Sequence, residues 1–329
     1  MALTETRPMQ ARAWIRRQSR WSVYEVLFWL AALLPFYFMP TYLTLASQVA
    51  IAALFALSVD LILGYAGIIT LGHAMFFGLG AYCAGLITKA GWGEPLTGLL
   101  IAGAFAALVG WIMSFIIVRV RHLALLMITL GLGLLTAELA NSMRWLTGGT
   151  DGLQGVDVWP IFGRYDFDLW GYTAYAYALV VLFLGVLLAR RLVNSSFGLS
   201  LRGVRENLNR MPAIGSPYRR HLQTIYTISA GMAGVAGALL TQTTETVSLD
   251  TLSFQRSADV VVMLILGGTG RLYGGILGAI IFMVARDQLS DMNPQYWYFW
   301  IGILLVVVVL AMPGGILGGL ARLVGKRGA

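Results

Sequence analysis

The chain has 329 residues, of which 58% are hydrophobic and 12% are charged. A soluble domain carries about 25% charged residues, so this chain has too few charges to cover a water-exposed surface, which excludes a soluble enzyme and a one-span anchor with a large soluble domain. The formal net charge of +8 would suggest nucleic-acid binding in a soluble protein, but here its placement along the chain decides its meaning.

Apolar segments long enough, or nearly long enough, to cross a bilayer recur along the whole chain. In chain order they are 25–42, 45–63, 72–88, 95–118, 123–141, 172–190, 222–242, 258–270, 273–287 and 296–313. The pair within 258–287 is short and meets at a glycine-rich interruption, so two short spans and one re-entrant hairpin both stay open. The pattern predicts an all-α, polytopic inner-membrane helical bundle of about 8–10 transmembrane helices with glycine-broken segments, with the membrane domain at 25–313.

Basic residues are concentrated in segments that would lie on one side of that bundle. The N-terminal segment 1–24, the loop 190–221, the tail 314–329 and short turns between spans together hold 18 of the 23 Lys and Arg residues. Positive residues mark the cytoplasmic side, so both termini and the 190–221 loop are predicted to be cytoplasmic, and 142–171 is predicted to be an external loop. The positive charge then indicates orientation, and nucleic acid is excluded as a partner.

Glycines interrupt the apolar pattern in two places, at 64–80 and at 267–278. Broken helices at membrane depth are tolerated where protein or a water-filled cavity surrounds them, so such breaks can line a translocation path. A tight turn between two spans is the simpler interpretation, with His73 as a hydrogen-bonding residue between helices and not a ligand or proton relay. The candidate path or break residues are Gly64, Gly67, Gly72, His73, Gly267, Gly268 and Gly270.

Motifs for catalysis or metal binding are missing from the sequence. No phosphate-binding loop of the form GxxxxGK[ST] occurs, the single Cys83 has no partner, and no two histidines have metal-ligand spacing. We expect no catalytic residue, no metal and no cofactor bound by this chain, so any ATP is used by partner subunits. An alternative is a standalone ion-coupled secondary transporter that uses Asp60, His73 and Glu138, because acids inside a membrane are candidate coupling sites, although Glu138 could equally pair with Arg144.

Two loops carry further patterns. In the 190–221 loop, apolar residues at 3–4 residue intervals predict a short amphipathic helix over 200–211, which could lie on lipid headgroups or dock into a soluble partner. In the external loop, a glycine-rich polar turn containing Gly149 and Asp151 suits either a structured cap or a receptor contact.

Four of these stretches occur in an order that resembles a known family. They are GYAGIITLGHAMFFGLGAY at 64–82, GGTDGLQGV at 148–156, RGVREN at 202–207 and LGGTGRLYGGILGA at 266–279. Together they resemble the M-type permease subunit of the branched-chain amino acid importers of the ATP-binding-cassette (ABC) class, over roughly residues 45–312. The sequence departs from the family where Asp60 replaces a common Asn, where Pro212 follows the coupling segment, and at Arg271.

The resemblance implies a role and a set of partners. The chain would be a permease subunit that translocates a branched-chain or similar small amphipathic amino acid and is not itself an enzyme. Its partners would be a homologous second permease subunit, two cytoplasmic ATPase subunits, a periplasmic or extracellular substrate-binding protein, and the lipid bilayer. The family's coupling segment, carried over residue by residue, nominates Arg205, Glu206, Asn207 and Gly215 as contacts with an ATPase.

Overall fold

A computed structural model of the chain describes residues 22–120, 122–168, 170–213, 215–312 and 314–319. These residues form helices joined by turns, and their only extended pairings are two isolated β-bridges. The prediction of an all-α membrane bundle is therefore confirmed for the described part of the chain. The predictions for residues 1–21 of the basic N-terminal segment and for residues 320–329 of the tail lie outside it.

Eleven helices of nine or more residues make up this described part. They are α1 (Val23–Ala31), α2 (Leu43–Asp60), α3 (Ala74–Lys89), α4 (Pro95–Ile117), α5 (His122–Ser142), α6 (Tyr172–Val193), α7 (Ser196–Glu206), α8 (Tyr218–Thr244), α9 (Phe254–Gly267), α10 (Gly274–Met292) and α11 (Trp297–Ala311). A π-helical turn, Leu61–Tyr65, extends α2.

Six helices of the described chain are long and apolar enough to cross a membrane. They contain α2, α4, α5, α6 and α8, and a sixth begins at Trp297. Val23–Phe38 and Ala74–Lys89 are apolar but shorter. The predicted total of about 8–10 spans therefore depends on these shorter helices and on the α9–α10 pair.

The first predicted span, 25–42, is not one continuous helix. Helix α1 ends at Ala31, a four-residue helix follows at Pro35–Phe38, and a 3-10 turn occupies Pro40–Tyr42. Both later pieces begin with proline, which lacks the backbone N–H that would continue the preceding helix. Hydropathy registers the apolar side chains but not this interruption of the backbone.

The uncertain region 258–287 forms a helical hairpin. Helix α9 has 14 residues and α10 has 19, and the two pack against each other across the turn at 268–273. At 1.5 Å per residue, α9 is about 21 Å long and so shorter than the bilayer core of about 30 Å. Gly278 allows the close contact, because a Cβ there would lie 1.8 Å from the carbonyl oxygen of Met263.

Helix α8 is the centre of the bundle and packs on α2, α3 and α4. Small residues permit its approach to α3: a Cβ on Gly80 would lie 2.2 Å from the Gly234 carbonyl oxygen, and one on Gly237 would lie 1.8 Å from the Phe77 carbonyl oxygen. Close backbone contact of this kind drives helix association in lipid, where apolar burial gives little net driving force.

The turns between helices gather at two ends of this bundle. At one end, which we name the junction end, segments 64–72, 202–206, 268–273 and 314–315 touch one another. At the other, which we name the cap end, Leu153 pairs with Val247 in a β-bridge, and the Trp159 amide donates to the Gly93 carbonyl oxygen at 2.8 Å. Sequence segments more than a hundred residues apart therefore meet at the junction end.

Candidate functional site

The junction end is built first from the way α2 ends. Regular α-helix stops at Asp60, the π turn Leu61–Tyr65 follows, and the chain then has no regular secondary structure as far as Gly72. Gly67 has φ of +74°, a conformation that glycine adopts without the steric cost of a side chain. Single π turns are concentrated at functional sites, because they replace the regular hydrogen-bond ladder with free backbone groups.

The α9–α10 turn packs directly on this broken end of α2. The Asp60 carboxylate accepts a hydrogen bond from the Gly270 amide at 2.8 Å, and Asp60 is 1% exposed. A Cβ on Gly64 would lie 2.1 Å from Asp60 Oδ1 and 2.4 Å from the Gly270 amide nitrogen. The two glycine-rich interruptions are thus in contact, and glycine is needed where they meet.

Arg205 of α7 joins the same contact from the 190–221 loop. Its guanidinium Nη1 donates to the carbonyl oxygen of Gly64. A Cβ on Gly270 would lie 2.7 Å from that Nη1, and one on Gly67 would lie 3.1 Å from Arg205 Cγ. We name the set of Asp60, Gly64, Gly67, Arg205 and Gly270 the arginine junction. It links α7 to both broken elements of the membrane domain.

The remaining residues nominated for coupling lie on the exposed side of the same loop. Glu206 and Asn207 are exposed at the end of α7, and Gly215 is exposed with φ of +72°. A Cβ on Gly215 would have no described neighbour within 4 Å. Of the four, the structure brings only Arg205 into contact with the membrane helices, and it leaves the other three accessible.

The helix predicted over 200–211 was misplaced. The helix is Ser196–Glu206: it begins after Ser195, whose side chain accepts a hydrogen bond from the Gly198 amide, and it ends six residues before Pro212. Sequence spacing correctly identified the apolar ridge, since Leu201 and Val204 are buried. That ridge packs on the protein itself, so it is not the free surface that a lipid-binding helix would present.

His73 lies deeper in the bundle, apart from the arginine junction. Its imidazole is 1% exposed, it stacks over Phe55 at 6.1 Å between ring centroids, and its Nε2 lies 3.1 Å from Ser229 Oγ. Ser229 gives its only hydroxyl proton to the Ser58 carbonyl oxygen, so it must accept from His73 Nε2–H. Nδ1 has no hydrogen-bond partner among the described residues. This geometry agrees with a hydrogen-bonding histidine between helices, which joins the start of α3 to Ser229 of α8, itself bonded to Ser58 of α2.

The other predicted path glycines are packing positions. A Cβ on Gly72 would lie 1.9 Å from the Thr129 carbonyl oxygen, and one on Gly267 would lie 1.7 Å from that of Gly274. A Cβ on Gly268 would lie 2.6 Å from the Gly314 carbonyl oxygen. These three positions hold the broken segments against α5, α10 and the chain that follows α11.

Of the two residues predicted to contact a receptor, one is exposed. Gly149 is buried with φ of +60°, and a Cβ there would meet Arg144 Cγ at 2.7 Å. Asp151 is exposed at the end of the same 3-10 turn. Gly149 therefore lets the turn close, and of the two residues only Asp151 has an exposed side chain.

The residues of the ion-coupled alternative are not brought together. Asp60 belongs to the arginine junction, His73 bonds to Ser229, and Glu138 is exposed on α5. The expected pairing of Glu138 with Arg144 is absent among the ion pairs that described residues form with one another. Across the described residues, no group of three or more His, Cys, Asp or Glu side chains is arranged to hold a metal ion.

Sequence reasoning missed one feature, a cavity of about 270 Å³ near the cap end. It lies between α2, α9 and α10, and its lining includes Arg256, Asp259, Arg286 and Asp287. The sequence patterns assigned no site to these four residues. The available signal was the three-residue spacing of Arg256 and Asp259, which places that pair on one face of α9; Arg286 and Asp287 are adjacent on α10 and give no such signal.

Comparison with known proteins gives a consistent result. The family model described as "Branched-chain amino acid transport system / permease component" matches residues 41–309. The high-affinity branched-chain amino acid transport system permease protein LivM of Escherichia coli K12 is 28% identical over 309 residues, which cover 88% of this chain and 72% of the relative.

Two further relatives show the breadth of the similarity. The corresponding LivH protein of the same strain is 26% identical over 280 residues, which cover 81% of this chain and 91% of the relative. The fructose import permease protein FrcC of Rhizobium meliloti is 26% identical over 273 residues, which cover 80% of this chain and 74% of the relative. The search of solved structures gives no significant match.

Proposed function

Since the chain belongs to the family of permease components of branched-chain amino acid transport systems, we propose that it translocates a branched-chain or similar small amphipathic amino acid inward across the membrane. As a multi-pass inner-membrane permease it moves a solute and is not itself an enzyme. Separate subunits bind and hydrolyse ATP, and no covalent intermediate forms with the solute.

The observation that carries this proposal is the arginine junction. Arg205 comes from the 190–221 loop, which holds seven of the basic residues, and it contacts the broken end of α2 next to the α9–α10 turn. A displacement of α7 by a few ångströms would remove the guanidinium from the Gly64 carbonyl oxygen. The broken end of α2 and the α9–α10 turn would then be free to move, as discontinuous helices do in other transporters.

The partners follow from the same arrangement. A paired permease subunit completes the membrane unit, as the relatives LivM and LivH are two permeases of one transport system by name. We place the junction end in the cytoplasm, where Glu206, Asn207 and Gly215 are accessible to an ATPase, and both termini on the same side. A substrate-binding protein would dock on the cap end, where Asp151 is exposed.

Reconstitution into proteoliposomes tests the proposal. The chain alone should give no concentrative uptake of leucine, isoleucine or valine, whereas the complex with its second permease, ATPases and binding protein should give ATP-dependent uptake. Concentrative uptake by the chain alone, without ATP, would contradict the proposal and favour the ion-coupled alternative.

Substitutions in the exposed part of the coupling segment test its role. Glu206→Lys reverses an exposed charge, and Gly215→Pro cannot adopt the observed φ of +72°. Both should abolish uptake while the binding protein still docks. Asp291→Lys, an equally exposed charge reversal on α10, is the matched control and should transport normally. Normal uptake by both coupling variants would exclude this segment as the contact with the ATPase.

A further inference from the structure

The cavity near the cap end combines an apolar interior with balanced charge. Its lining includes Ile51 and Phe55 of α2, Val260 and Met263 of α9, and Met283 of α10. Two arginines and two aspartates also line it, and their formal charges cancel. Its volume of about 270 Å³ lies below the range of about 300–1,000 Å³ for pockets that take drug-sized ligands, which suits a small solute.

Of the four charged groups, one forms an ion pair with another described residue and three do not. Arg256 forms an ion pair with Asp250 at 2.8 Å. Asp259 is 7% exposed and accepts one hydrogen bond, from Gln255 Nε2 at 2.9 Å. Neither Asp259 nor Arg286 forms an ion pair with another described residue. A buried carboxylate with incomplete pairing is costly, so an occupant that supplies a cation to it would be stabilised.

Arg286 and Asp259 both line this cavity, from α10 and α9, and form no ion pair with each other. The Arg286 guanidinium carbon lies 5.1 Å from the centre of the Trp297 ring. The cavity thus offers a cation on α10 and an anion on α9. A zwitterion can place its carboxylate at the first and its ammonium group at the second, each through charge-assisted hydrogen bonds.

From this arrangement we infer that the cavity between α2, α9 and α10 is a binding site for a zwitterionic α-amino acid, in which Arg286 binds the carboxylate, Asp259 binds the ammonium group, and the apolar wall takes a branched side chain. The inference rests on the proposed function and adds to it the residues that select the solute. It also explains coupling, since the same three helices reach the arginine junction at their other ends.

Binding of radiolabelled L-leucine to the complete complex in nanodiscs, without the binding protein, tests the inference. Wild type should bind leucine, and Arg286→Gln and Asp259→Asn should each weaken binding by about tenfold to a hundredfold, because each removes a hydrogen bond to a charged group. Asp291→Asn, an exposed acid on α10 outside the cavity, is the matched control and should bind as wild type does.

Competition by two leucine analogues identifies the role of each charge. Arg286→Gln should leave competition by 3-methylbutylamine unchanged, since that analogue has no carboxylate. Asp259→Asn should leave competition by 4-methylpentanoate unchanged, since that analogue has no amino group. Equal weakening of both analogues by both variants would overturn the assignment of the two groups, as would competition by fructose as strong as that by leucine.

A second pair of variants covers the case in which a charge substitution prevents assembly of the complex. Arg286→Lys keeps the cation and should keep measurable binding, whereas Ala52→Phe fills the cavity from α2 and should abolish it. Leucine binding unchanged by Ala52→Phe would overturn the site. If the wild-type complex transports leucine but binds none without the binding protein, the site is overturned and the proposed function still stands. Absence of leucine transport by the wild-type complex would contradict the proposed function itself.

Discussion

Gly64→Ala perturbs the arginine junction with the smallest available change. Gly64 lies in the π turn, and its φ is outside the left-handed range, so alanine brings no conformational strain of its own. The added Cβ would nevertheless lie 2.1 Å from Asp60 Oδ1 and 2.4 Å from the Gly270 amide nitrogen. The second of these atoms is backbone and cannot rotate away, so α2 and the α9–α10 turn must separate.

The expected cost follows from the contacts that are lost. Overpacking at a close contact costs about 1–3 kcal/mol, and loss of the hydrogen bond from the Gly270 amide to the Asp60 carboxylate costs about 1.5–3 kcal/mol. Alanine in a helical position recovers about 0.5–1 kcal/mol relative to glycine. The net effect is a destabilisation of about 1.5–5.5 kcal/mol.

Thermal denaturation of the complex in nanodiscs, at one fixed scan rate, measures this effect beside a matched control. Gly131→Ala in α5 adds the same methyl group where no described atom lies within 4 Å, so its Tm should equal or exceed that of wild type. Gly64→Ala should lower Tm clearly and reduce ATP-dependent uptake. A Gly64→Ala complex as stable as Gly131→Ala would refute the close contact between the two breaks.

The other substitutions separate local structure from transport. Asp60→Asn keeps a side-chain oxygen for the Gly270 amide, so uptake should stay close to wild type in an ATP-driven importer; loss of uptake with intact assembly would instead favour ion coupling. Ser229→Ala leaves the buried His73 N–H without its acceptor and should destabilise the complex by about 1–3 kcal/mol with little change in the KM for uptake. Ser142→Ala, which removes an exposed hydroxyl, is its control, and equal Tm values for the two would contradict the proposed hydrogen-bond link.

Hydropathy predicted the long spans well because a bilayer imposes a local requirement on each of them. Helices α4, α5 and α6 begin and end within a few residues of the predicted limits. The prediction was poorest at 25–42, where Pro35 and Pro40 divide an apolar run, and at 200–211, where capping by Ser195 sets an earlier start for α7. In both regions, backbone hydrogen bonding decides the helix limits and side-chain hydropathy does not.

The candidate site was predictable residue by residue but not as a contact. Glycine composition pointed to Gly64 and Gly270, and the family resemblance pointed to Arg205, yet nothing in their sequence positions joins them. The bond from Arg205 to Gly64 spans 141 positions, and the bond from Gly270 to Asp60 spans 210. Pairings over such separations depend on how the helices pack, and in a membrane protein the pattern of apolar residues does not predict that packing.

The sequence by itself determined that lipid is the solvent of this chain, that its backbone is helical, where the helices are interrupted and which loops carry the basic charge. Each of these follows from composition in a short window, because every span must satisfy its own backbone hydrogen bonds in lipid. Only the tertiary structure decided that the two glycine-rich interruptions meet beside Arg205, and that Asp259 and Arg286 line one cavity. The physical reason is that small residues and charges on separate helices acquire a function through contact, and contact depends on how the helices pack.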